Sequence, residues 1–493
     1  MESNRLREIF DGLEVKQYPI TLLLCIFIIL NCVFSFSNFI NTGSHDDQRL
    51  LQIILILIST AAIVLYKIPL KIIQLSWLRL FVFLFFLLGI VSGIGALSLR
   101  FAFYEVASLF FLSVLSLYIA NEVSKRGFRS INWILMICAV GCMLYAFRFL
   151  TVYIAVLVLG IQPDVMNLVP GFSNYRFLNH TQTIALPLLI LYFLLEKKET
   201  KASLMHMIFV GFWWSLLFMT GGRGTIVGLL AGAGIAYMVQ PKYAITFCKG
   251  MLTTGMVGVV IYAILFMLVP FLVGLHPFGV FFQLAQRSIE DPTSGRLLLW
   301  QRALELIFSN PWVGVGPMHF AHYGADINNG AHPHNLILQI GAEWGVPALL
   351  CLCIAISIGM RNLFRAVYMI SASDIRNQTI FSAWIVIGVA ILVDSQFSGL
   401  VVMPFSQLLI VLYVGCAMGW SRSISDNEIS QKVSPSWSRW LFQSFLILIS
   451  VCGILYGALP KMDILFGLKT ELTRESLSHP RALHPRIWTD GNF

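Results

Sequence analysis

About thirteen stretches of this chain are apolar and long enough to cross a bilayer, and nothing else in the sequence limits its fold so tightly. A spanning helix needs about 20 apolar residues. Inside hydrocarbon only a helix or a closed barrel satisfies every backbone N–H and C=O. Runs at 19–40, 50–66, 76–98, 102–120, 131–158, 180–195, 203–220, 224–240, 252–274, 336–359, 378–395, 400–420 and 440–459 have this character. The two that meet near residue 220 are short, so a merged or re-entrant element is the alternative there. With only 12% of its 493 residues charged, the chain has too little polar surface for a soluble domain. The expectation is an all-α, polytopic integral membrane protein of about 12–13 transmembrane helices.

Charge placement tests that reading independently. The net charge of +9 is dispersed among short connections, which argues against a nucleic-acid surface. If the N-terminus is cytoplasmic, the inner connections carry Lys67/Lys71, Lys125/Arg126/Arg129, Lys197/Lys198/Lys201, Lys242/Lys249, Arg361/Arg365/Arg376 and Arg422/Lys432. The alternate connections hold only isolated cations such as Arg49 and Arg100. Positive-inside bias is thus met at each step. The N-terminal residues carry mixed charge with no small-residue cleavage pattern after the first apolar run, so 19–40 reads as a retained helix. The nine cysteines fall in or beside apolar runs without a CxxC pattern and read as small packing residues.

This topology puts 145–180, the turn Gly221-Gly222-Arg223-Gly224 and the long loop 275–335 on one outer face. Within the loop, Asp291-Pro292-Thr293-Ser294-Gly295 is a turn-and-cap sequence. Leu297, Leu298, Trp300, Leu304 and Ile307 then recur at helical spacing until Asn310-Pro311 stops the helix. Such a helix lies along the membrane surface with Trp300 at headgroup depth, or else packs on the bundle. Two regions result: a membrane domain over 1–460 with the outer loop 275–335, and a polar tail, 461–493, too short to form its own core.

Polar groups beside lipid are costly, so His332-Pro333-His334-Asn335, at the mouth of the apolar run Leu336–Gly345, marks a functional site. His334 titrates near neutral pH and is a candidate general base, with a hydrogen-bonded structural histidine as the alternative. His319, His322, His332 and His334 have HxxH and HxH spacings, but no acidic or cysteine partner lies close in sequence. The expectation is therefore no metal and no cofactor. Arg223, between glycines at a helix start, suits phosphate oxygens, or is an interfacial snorkelling arginine. Arg296, following Ser294-Gly295, repeats the arrangement. Glu343 faces away from Asn335, aligns with Gln339 at i, i+4 and serves helix packing. Arg176 and Asn179 add polar groups to the same face, suited to sugar hydroxyls. Asp394 is a buried carboxylate that pairs with an arginine or serves transport.

Ser294-Gly295-Arg296 with Trp300, then Asn310-Pro311-Trp312-Val313-Gly314-Val315-Gly316, then His332-Pro333-His334-Asn335 with Gln339, Glu343 and Gly345, resemble the signature of the O-antigen ligase/polymerase superfamily. Gly222-Arg223-Gly224 resembles that family's Ser-Arg-Gly turn, with glycine where serine is common. The resemblance implies a bacterial inner-membrane glycosyltransferase with a periplasmic active site and a cytoplasmic N-terminus. It implies transfer of a glycan from a polyprenyl diphosphate carrier to an acceptor hydroxyl, without metal or nucleotide. By position, Arg223 and Arg296 then hold the diphosphate and His334 deprotonates the acceptor. His332, Asn335, Gln339, Glu343, Arg176 and Asn179 bind substrate or support these residues. Acceptors open within the superfamily are the lipid A core, another O-unit, or a protein hydroxyl; the short C-terminal tail favours the first. The rival from another class is a transporter or flippase using Asp394, Glu105 and Arg148. Against it stand the lack of repeat symmetry between halves and the gathering of polar residues on one face.

Overall fold

The computed structural model describes residues 18–36, 44–68, 70, 77–195, 200–290, 295–327, 331–425 and 437–462. All regular structure among them is helical. Nine helices come first: α1 Pro19–Val33, α2 Ser44–Leu65, α3 Trp77–Ile94, α4 Leu99–Val123, α5 Phe128–Val158, α6 Tyr175–Leu195, α7 Thr200–Thr220, α8 Arg223–Val239 and α9 Pro241–Leu272. The long loop then contributes α10 Gly279–Glu290, α11 Arg296–Ser309 and the single turn α12 Phe320–Tyr323. After it come α13 Leu336–Trp344, α14 Val346–Ala366, α15 Ile375–Asp394, α16 Pro404–Ser425 and α17 Trp437–Ala458. Eleven helices are long and apolar enough to span a membrane, and α1 and α8 are shorter apolar helices.

Two sequence expectations need correction. The run 336–359 is not one helix but two, α13 and α14, broken at Gly345, whose φ is 85°. That left-handed backbone followed by Val346-Pro347 ends one helix and starts the next. The outer loop carries two substantial helices rather than one, the additional one being Gly279–Glu290. The two short runs near 220 are separate helices, α7 and α8, joined at Gly221-Gly222. The turn-and-cap residues 291–294 and the tail from 463 lie outside the described residues.

Two helices are enclosed by the bundle and carry its polar interior. Most of α6 and α15 is buried, unlike α9 and α14, whose faces are largely exposed and apolar as lipid contact requires. Close approach of α8 to α15 depends on glycines four apart. A Cβ on Gly228 would stand 2.9 Å from the Ala390 carbonyl oxygen, and one on Gly232 would stand 2.5 Å from that of Val386. Where apolar burial gives no net drive between helices, such small-residue seams set the packing distance. The seam reaches Gly224, where a Cβ would meet Asp394 Oδ1 at 2.4 Å. Arg223 and Asp394 thereby come to the same end of the bundle.

Arg49, read from sequence as an isolated outer cation, is buried in α2. It donates to Gln52 Oε1 (2.7 Å), Gln407 Oε1 (3.2 Å) and the Val402 carbonyl (3.1 Å). These bonds brace the connection between α15 and α16 against α2. Buried charge is tolerable when its donors are satisfied in this way.

Candidate active site

The Asn310–Gly316 motif and the Glu343-x-Gly345 motif form one backbone stitch. Helix α13 ends without side-chain caps, so the carbonyls of its last turn need donors from elsewhere. Val315 N–H donates to the Ala342 carbonyl and Gly316 N–H to that of Glu343, both at 2.9 Å. Val346 N–H donates back to the Pro311 carbonyl at 2.9 Å. The fit requires glycine: a Cβ on Gly314 would stand 2.4 Å from the Glu343 oxygen, and one on Gly345 would stand 2.5 Å from the Trp312 oxygen. Glu343 is fully buried, and its Oε1 accepts from Phe320 N–H at 3.0 Å. It thus anchors the loop after α11. Gln339 is likewise buried on α13.

The other end of α13 holds the histidines. Asn335 is its N-cap: Oδ1 accepts from Leu338 N–H at 2.9 Å, while Nδ2 donates to the Gln396 carbonyl at 3.2 Å. Leu336 N–H donates to the Ser395 carbonyl at 2.9 Å. Asn335 is therefore committed to fixing the start of α13 against the segment after α15. Before it, His334 adopts φ 54°, in the left-handed region that β-carbon sterics disfavour. Its N–H donates to His332 Nδ1 at 3.2 Å, and the two rings lie 4.1 Å apart at 61°. The His332 ring is buried against Gly399, where a Cβ would stand 2.4 Å from Cε1. The Trp300 indole N–H donates to the Pro333 carbonyl at 3.0 Å, so α11 packs on the bundle and braces the histidine turn. Leu299, Ala303 and Leu306 of α11 are buried in a small cluster with Val315, Phe320 and Ala342.

Four cationic or titratable groups act on one another here. The His334 imidazole is pushed down to about 3, first by loss of water around it and then by the charges of Arg296, Arg176 and His180. Arg296 starts α11 behind Gly295, itself left-handed at φ 68°. Arg176 stands in the first turn of α6, its backbone N–H bonded to Asn174 Oδ1 at 2.9 Å. Arg223 differs: the structure brings its backbone beside Asp394, but leaves its side chain exposed.

Beneath these groups lies a hydroxyl and carboxylate cluster that sequence reading did not assemble. Asn179 Oδ1 accepts from Thr220 Oγ1 at 2.5 Å, and its carbonyl accepts from Thr225 Oγ1 at 3.0 Å. A Cβ on Gly222 would meet Asn179 Cγ at 2.8 Å. Asn179 thus locks the glycine turn onto α6, the supporting part of its expected role. Thr183 Oγ1 donates to Asp394 Oδ2 at 2.6 Å and lies 2.8 Å from Thr225 Oγ1. Hydroxyls, rather than a close arginine, hold the Asp394 carboxylate.

The remaining histidines of the metal reading are occupied or apart. His319 is fully buried; Ser98 N–H donates to its Nε2 and its Nδ1 faces the Pro317 carbonyl, each at 2.8 Å. His322 packs edge-on to Tyr323. Among the described residues, no group of three or more His, Cys, Asp or Glu side chains is placed to hold a metal ion.

No curated protein matches the sequence. Residues 207–353 match the family model described as O-antigen ligase. That stretch contains Arg223, Arg296, the glycine stitch, His334, Gln339 and Glu343, while Arg176, Asn179 and Asp394 fall outside it. Residues 207–353 are thus similar to the O-antigen ligase family, and they sit within a many-helix membrane architecture.

Proposed function

We propose that the chain is an O-antigen ligase-type glycosyltransferase. It moves a glycan from a polyprenyl diphosphate carrier to a hydroxyl of the lipid A core, on the periplasmic face of the bacterial inner membrane. The observation that carries this reading is the meeting of a strained, uncharged imidazole with guanidinium groups at one end of the bundle. Backbone strain of this kind persists where the surroundings over-determine it, and it clusters at functional sites.

The chemistry follows from the charges. The acceptor oxygen attacks the anomeric carbon while the bond from that carbon to the diphosphate oxygen breaks, its electron pair leaving with the diphosphate. His334 takes the acceptor's proton. Arg296 stabilises the charge gathering on the departing diphosphate, with Arg223 at the glycine turn as its partner. No acid is needed on the leaving side, because a diphosphate departs as a stable anion, unlike the alcohol released by two-carboxylate hydrolases.

Loss of surrounding water, and then the nearby guanidiniums, hold His334 neutral but weakly basic. A diphosphate bound by those guanidiniums offsets their part of the shift and makes the imidazole more basic.

A transport role is less well supported, because the intramembrane charges are engaged structurally. Arg148 Nη1 donates to the Cys32 carbonyl at 3.2 Å, and Asp394 is held by Thr183. The test is glycan transfer in detergent from a polyprenyl diphosphate donor to lipid A core. Loss of transfer in His334→Ala, with the variant still folded, supports the reading; wild-type transfer by that variant overturns it.

A further inference from the structure

One buried imidazole at this site has no role in the mechanism above. His180 lies on α6, one residue beyond Asn179, and is 4% exposed. Its ring packs on Phe177 at 5.9 Å, and Phe177 packs in turn on His45 at 6.0 Å, so the ring is held from one side. Among the described residues its Nδ1 is buried with no hydrogen-bond partner. Buried polar atoms are nearly always bonded, and an exception calls for a ligand or an ion. Its neighbours narrow the choice. Arg176 is one helical turn back on α6, and the charges of Arg176 and Arg296 both act on the His180 ring. The same three groups act on His334. The positive charges of Arg176 and Arg296 repel a cation from this place and attract an anion. An anion fits.

We infer that His180 is a binding residue for the diphosphate of the lipid-linked donor, donating from Nδ1 to a phosphate oxygen, with Arg176 beside it as a further guanidinium of the same subsite. The inference rests on the donor reading given under Proposed function and extends it to α6, outside the residues that match the family model. It makes the anion subsite a junction of two elements. Arg296 comes from the loop helix α11, whereas Arg176 and His180 come from the enclosed helix α6.

Equilibrium binding to the purified full-length chain in nanodiscs tests this, with undecaprenyl diphosphate and undecaprenol as probes. Loss of one hydrogen bond to a charged group predicts about tenfold weaker diphosphate binding in His180→Ala, with undecaprenol binding unchanged. His180→Asn, which keeps an amide donor, recovers part of the loss and gives a second reading should the alanine variant fail to fold. Arg176→Gln weakens diphosphate binding in the same selective way. Undiminished diphosphate binding in both His180 variants, with a wild type that prefers diphosphate over undecaprenol, overturns the role of His180 and leaves the donor reading intact. A wild type with no such preference overturns both.

Discussion

Replacing His334 separates its backbone strain from its chemistry. The residue sits at φ 54°, where an L side chain costs about 1 kcal/mol more than glycine. His334→Gly relieves that strain but gives up the ring contact with His332 at 4.1 Å, an aromatic pair of about 0.5–1 kcal/mol. The two effects nearly cancel, so the glycine variant should unfold at close to the wild-type temperature. His334→Ala gives up the ring and keeps the strain, and should be less stable than glycine by about 1 kcal/mol. Both lack the imidazole, and loss of a general base costs about 10²–10⁴-fold in rate. The assay pairs thermal unfolding in detergent with glycan transfer measured on the same preparation. An alanine variant as stable as the glycine variant would refute the strained turn; an active glycine variant would refute the base.

Three further outcomes follow from the geometry. Arg296→Lys keeps the charge but loses the planar fork, and transfer should drop at least about tenfold with stability unchanged; transfer at the wild-type rate removes Arg296 from the anion subsite. Gly345→Ala places a Cβ 2.5 Å from the Trp312 oxygen at φ 85°, so it should cost about 3 kcal/mol or more and lower the yield of folded protein; normal yield and Tm would contradict the stitch. His334 titrates at about 3 in the folded chain against an ordinary 6.5, so the unfolded chain binds that proton more tightly. Its stabilising contribution is full above about pH 6.5, erodes as pH falls below that, and is gone by about pH 3. His334→Gln should therefore unfold less steeply on acidification, and an unchanged acid slope would show that the imidazole is not held neutral.

The fold was legible where one physical demand dominates. Burying backbone in hydrocarbon needs long apolar runs, and these gave the helix order and a long outer loop before any coordinates. The break at Gly345 was missed because apolar spacing continues across it, although Gly345-Val346-Pro347 carries both a stop and a start signal. Helix α10 forms no continuous apolar run, although its amphipathic spacing was readable. The glycines at 224, 228 and 232 spell a small-residue seam, yet only Gly224 was weighed, as part of a turn. At the site, His334 and Arg296 could be picked out individually, since polar groups are costly beside lipid. Partners could not. Nothing local tells that Asn179 bonds Thr220, that Thr183 holds Asp394, or that His180 faces the same charges as His334. Asn335 before an apolar run was an N-cap signal, and its commitment to α13 was readable on that ground alone.

The most direct measurement is a cryo-electron microscopy structure of the full chain with an undecaprenyl diphosphate-linked glycan. Phosphate oxygens should lie within hydrogen-bond distance of the Arg296 guanidinium, with the anomeric carbon facing the open side of the His334 ring. A donor headgroup bound at the other end of the bundle, or with its anomeric carbon turned away from His334, would contradict the account.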